Sequence, residues 1–130
     1  MGFSRITPTG LYNKPVFDTL TPVLFILGET VKYNKLVRDR IPDIARADGN
    51  NPITHIAGGD ELRARLVDKL YEEVGEFVRN WDIKELADIV EVARKLSEVI
   101  GFSPEQLEFE RQKKAQEKGD FSRCIVLDEA

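Results

Sequence analysis

From about residue 60 onward, apolar positions recur at helical spacing. At roughly 100° per residue, Leu62, Leu66, Leu70, Val74, Phe77 and Trp81 fall on one broad face. The pattern predicts a long helix from about Asp60, a good N-cap residue, to about Asn80. Leu86, Ile89, Val90, Ala93, Leu96 and Ile100 build the face of a second helix, widened by Val92 and Val99. That helix starts at Asp82 and ends before Gly101. In "GFSPEQLEFERQKKAQEKGDF", Ser103 caps a third, Pro104 occupies its first position and Gly119 closes it. "IPDIARADGN" places Pro42 and Gly49 as the punctuation of a short helix. "NPITHIAGG" is β-branched and extended, which predicts a short strand at residues 53–57. "RCIVL", residues 123–127, reads as a closing strand that could pair with it. The chain thus reads as an all-α bundle: two long antiparallel helices, a shorter C-terminal helix and short flanking strands.

Residues 1–31 differ in character. They hold three of the six prolines and no sustained periodicity, with one possible strand at residues 23–27. They are expected to form an N-terminal extension to a single domain over residues 32–130. The abrupt change at Tyr33 also fits a natural start near Val31.

Composition narrows the class. The chain has 130 residues, 42% of them hydrophobic and 32% charged, with a formal charge of −4. So slight a negative balance argues against nucleic acid as a bulk electrostatic partner, although local basic clusters can still bind phosphate. One cysteine, Cys124, excludes an internal disulfide, and with one histidine, His55, it excludes the usual zinc spacings. "PVLFIL" is too short to cross a membrane and lacks the flanks of a signal peptide. A cytoplasmic protein without membrane attachment is expected.

Against this pattern the acids stand out. Glu73 falls inside the first apolar face, Glu76 lies at its edge and Glu72 flanks it. On the second helix Glu85 projects between the directions of Leu96 and Val92, and Asp88 close to Val99, whereas Glu91 points away. Each helix therefore carries an i, i+3 carboxylate pair at the border of its core, and antiparallel packing can make the pairs face one another. Converging carboxylates repel unless a cation joins them. Mg²⁺ takes oxygen ligands and keeps positions for water and phosphate. The same acids also fit a solvated core border, with Asp82 and Glu85 as a capping box.

"EEVGE" (Glu72 to Glu76) followed by "ELAD" (Glu85 to Asp88) resembles the acidic signature of the MazG-like, all-α nucleoside triphosphate pyrophosphohydrolases. "YNKLVRDRIP" is similar to the opening of a house-cleaning, phosphoribosyl-ATP pyrophosphohydrolase-like subgroup, and "RQKKAQEKGDFSRCIVL" to its C-terminal segment. The resemblance covers about residues 33 to 127. The gap between the two acidic pairs is short for the superfamily at large and suits this subgroup. It implies Mg²⁺, with Mn²⁺ as a substitute, on Glu73, Glu76, Glu85 and Asp88, and Glu72 as an acid that either supports the metal ligands or activates water. It also implies a homodimer or higher homo-oligomer that completes the bundle, with active sites near the interface.

The implied reaction cleaves the α–β bond of a nucleoside triphosphate into monophosphate and pyrophosphate. Its phosphates need basic partners. Lys35 and Arg38 are the leading candidates, followed by Lys114 and Lys118, with Asn34 as an amide contact. Lysines on a C-terminal helix otherwise simply solvate it. Trp81 and Phe77 could stack a base, though an aromatic at helical spacing is usually core. His55 reads as structural and Cys124 as a small buried hydrophobe. The substrate expected is a noncanonical nucleotide. Alternatives are phosphoribosyl-ATP in histidine biosynthesis, a helical dimer that binds nucleotide or a partner without hydrolysis, and a plain dimerisation module.

Overall fold

The computed structural model describes residues 31–130, so the strand expected at residues 23–27 and most of the N-terminal extension lie outside it. Four helices follow in order: α1 Ile41–Ala47, α2 Gly59–Asn80, α3 Ile83–Val99 and α4 Pro104–Lys118. The described chain is all-α. No helix in it is long and apolar enough to cross a membrane.

Local chemistry accounts for the helix ends. At α4, Ser103 Oγ accepts from the Gln106 N–H at 3.1 Å and Gln106 Oε1 accepts from the Ser103 N–H at 2.7 Å, a complete capping box with Pro104 behind it. α2 begins differently from expectation. Gly58 is its N-cap and Asp60 sits within the first turn, beside Glu61, where negative charge favours the positive end of the helix. The entry needs glycine because Gly59 has φ +56°, in the left-handed region. α2 passes into α3 through only Trp81 and Asp82. Trp81 closes α2 in the left-handed conformation, φ 51°, and its N–H reaches the Phe77 carbonyl at 2.8 Å. Its ring packs on Phe77 with centroids 5.0 Å apart.

The expected flanking strands are corrected: no β-strand occurs among the described residues. Residues 53–57 carry no regular secondary structure, and Ile53 and Ile56 are more than nine-tenths exposed. A segment with no neighbouring strand cannot satisfy its backbone in a ladder. Residues 123–127 are likewise irregular and exposed. Cys124 is not a buried hydrophobe; it is exposed, at φ 53°.

The chain divides into two compact units, one ending at Val92 and the other running from Ala93 to Ala130. Among the described residues of the first, Ala45 of α1, Leu66 of α2 and Val92 of α3 are the buried apolar side chains. In the second, Ser97 is buried and its hydroxyl donates to the carbonyls of Phe102 and Ser103 at 3.1 and 3.2 Å, tying the end of α3 to the start of α4.

Candidate metal centre

The α2–α3 turn builds the site. Its tight reversal sets the last turns of α2 against the first turns of α3, so acids on either side of the turn converge. Glu73, Glu85 and Asp88 each offer a carboxylate oxygen, and the three oxygens lie within 4.8 Å of one another. Glu73 is 1% exposed and Glu85 7%; Asp88 is half-buried. Glu76 stands outside this three-way group, yet it is fully buried one turn along α2 from Glu73. With Leu66, Glu73 and Glu76 are the largest completely buried side chains of the described residues. Burying ionisable groups where apolar ones would stabilise the fold is costly unless they have charged partners or ligands.

Several partners are visible. Lys69, one turn before the acids on α2, reaches Glu73 Oε1 at 3.0 Å and Glu72 Oε2 at 3.5 Å. Lys35 meets Glu72 Oε1 at 2.7 Å. Arg38 Nη2 meets Asp88 Oδ1 at 2.5 Å. That hydrogen bond holds the Arg38 guanidinium above its ordinary pKa; partial burial opposes it, and the charges of Asp88, Glu91 and Glu73 reinforce it. Asn80 donates to Glu85 Oε1 at 3.1 Å, so the Glu85 side chain faces the turn rather than forming the capping box with Asp82. Asp82 Oδ1 instead accepts from the Lys84 N–H at 2.9 Å. Glu85 Oε2, in contrast, is buried with no hydrogen-bond partner among the described residues.

Lys35 and Arg38 arrive on an irregular segment before α1 that is clasped to α2. Arg65 donates to both the carbonyl and the side-chain oxygen of Asn34, the latter at 2.9 Å. Asn34, a candidate substrate contact by sequence, is therefore an anchor of this segment, and its φ of 46° suits asparagine better than most residues. Lys114 and Lys118 lie exposed on α4, in the second unit. Trp81 is 68% exposed at the turn. His55 Nε2 lies 2.6 Å from Glu61 Oε1 in an exposed side-chain contact.

Sequence reasoning missed Lys69, Arg65 and Asn80. Lys69 was within reach: a lysine three and four residues before two acids on a helix pairs with both. Arg65 reaches Asn34 across 31 residues of chain, and Asn80 reaches Glu85 only because the α2–α3 turn folds the two together, so no helical pattern marks either.

The donor set fits a small hard cation. Bonds of about 2.1 Å place two oxygens on one ion roughly 3–4 Å apart, so a modest side-chain adjustment brings all three carboxylates onto it. Among the described residues, Lys35, Arg38 and Lys69 pair with Glu72, Asp88 and Glu73 respectively.

No family model matches the chain. No solved structure matches it significantly. A protein of Mycolicibacterium smegmatis described as uncharacterized is 50% identical over 42 residues, which is 32% of this chain. The match spans 43% of that relative's length.

Proposed function

We propose that this protein is a Mg²⁺-dependent, MazG-like nucleoside triphosphate pyrophosphohydrolase that cleaves the α–β phosphate bond, acting on noncanonical nucleotides. The observation that carries the reading is the convergence of Glu73, Glu85 and Asp88 within 4.8 Å, with Glu85 Oε2 buried and unpartnered among the described residues. Glu73, Glu85 and Asp88 hold the metal, and Glu76, buried beside them, completes the acidic set. Mg²⁺ held by these residues would supply neutralisation of phosphate charge and activation of water. Glu72, paired to Lys35 and Lys69, would accept a proton from an attacking water. Lys35 and Arg38, from the segment before α1, supply cationic hydrogen bonds to phosphate oxygens.

A homodimer belongs to the same proposal. Only small patches of apolar surface are fully buried in the described chain, whereas Tyr71, Val74, Val78, Leu86 and Val90 on α2 and α3 are more than one-third exposed. Amphipathic helices in that condition are covered by pairing subunits into a larger bundle.

Pyrophosphate release from a panel of nucleoside triphosphates and phosphoribosyl-ATP, with Mg²⁺, tests the activity. Glu73→Gln and Asp88→Asn remove ligand charge while nearly keeping shape. Both are expected to lower turnover by about 100-fold or more. Turnover unchanged in both variants refutes the assignment of the centre. No turnover on any substrate, with metal-dependent nucleotide binding retained, would replace the enzyme by a nucleotide-binding protein.

A further inference from the structure

We propose that Arg38 is the exchangeable cation of the centre: its guanidinium holds Asp88 in the metal-free protein and is displaced from it when a divalent ion binds, becoming available to substrate phosphate. The inference rests on the metal-centre reading above and adds an order to it, metal first and nucleotide second.

The three cations around the acids are not equivalent. Lys69 belongs to α2, is only 14% exposed, and bonds acids on its own helix. Lys35 is 20% exposed and engages Glu72, which is outside the three-carboxylate group. Arg38 alone of the three bonds an acid of that group from outside the helical hairpin. Its side chain is 55% exposed and its backbone lies in an irregular segment, so it can swing into solvent without breaking a helix.

Arg38 also competes by charge. With Nη2 at 2.5 Å from Asp88 Oδ1, a divalent ion on either oxygen of the same carboxylate stands within about 5 Å of the guanidinium. Like charges at that separation repel strongly even in a partly hydrated site. Glu85 Oε2 offers the ion a buried oxygen that no other described group has claimed, so its entry is favoured as the arginine leaves. The Asn34–Arg65 clasp still holds the chain four residues before Arg38 to α2, so the released guanidinium stays tethered near the acids. Arginine then forms with phosphate the charge-assisted bonds it had formed with Asp88.

The test is Mn²⁺ affinity of the full chain without nucleotide, read from the electron paramagnetic resonance of free Mn²⁺. Arg38→Gln is expected to bind Mn²⁺ about two- to fivefold more tightly than the wild type, the worth of an ion pair half open to water. Arg38→Lys should fall between the two, and Glu85→Gln should bind far more weakly. Equal or weaker binding by Arg38→Gln, with Glu85→Gln still impaired, overturns the exchange and leaves the centre standing. Absence of Mn²⁺ binding by the wild type overturns both. A second measurement needs no variant: the side-chain NMR signals of Arg38 in the wild type should shift on adding Mg²⁺ alone. Signals unmoved at saturating Mg²⁺ refute the exchange.

Discussion

Replacing Glu85 by glutamine should make the metal-free protein more stable and at the same time remove its response to Mg²⁺. The carboxylate of Glu85 lies within 4.8 Å of those of Glu73 and Asp88. At that distance and an effective dielectric near 20, two unit charges repel by about 3.5 kcal/mol. Arg38 on Asp88 and Lys69 on Glu73, at 2.5 and 3.0 Å, cancel much of each repulsion. Uncancelled repulsion of about 1–3 kcal/mol remains between Glu85 and its two neighbours. Glu85→Gln removes it and keeps an oxygen for the bond from Asn80. The variant should therefore melt about 5–10 °C above the wild type in EDTA. Saturating Mg²⁺, at about 100 times its dissociation constant, should stabilise the wild type by about 2.7 kcal/mol and the variant hardly at all. Urea denaturation followed by circular dichroism, with EDTA and with Mg²⁺, measures all four states. A variant less stable than the wild type in EDTA, with an undiminished Mg²⁺ response, would refute both the repulsion and the centre.

Two further outcomes concern the framework around the site. Arg65→Ala breaks the clasp on Asn34 and should cost about 1–2 kcal/mol; hydrogen exchange should then rise selectively at the backbone amides of residues 33–38, and unchanged protection there would show that the clasp is incidental. Ser103→Ala removes half of the capping box of α4 and should lower stability by about 1 kcal/mol, whereas Ser103→Asp, which retains an acceptor, should lose much less; equal losses in urea denaturation would discount the cap.

Helix existence was legible because its signals are local. The apolar spacing of Leu62, Leu66 and Leu70, the Ser103–Pro104 start and the Gly119 stop act through bonds and contacts within one helix, and all appear in α2 and α4. Strands were misjudged for the converse reason. The β-branched run at residues 53–57 has the composition of a strand, but a ladder requires a second segment in register, and composition cannot supply one. The N-cap of α2 falls at Gly58 rather than Asp60, two residues earlier, with Gly59 in the left-handed conformation as the first helical residue.

For the acids, helical periodicity alone placed Glu73, Glu76, Glu85 and Asp88 at the border of the apolar faces, since the angle between side chains on one helix follows from their separation in sequence. Which of them meet depended on the turn at Trp81 and on the packing of α2 against α3. That packing gathered Glu73, Glu85 and Asp88 and left Glu76 buried outside the group. The ion pairs of Lys35 and Arg38 are further still from local pattern, spanning 37 and 50 residues of chain. A face of a helix is a property of its sequence; a cluster of charges from three segments exists only once the tertiary structure has brought them within a few ångströms, where Coulomb forces and desolvation decide the pairing.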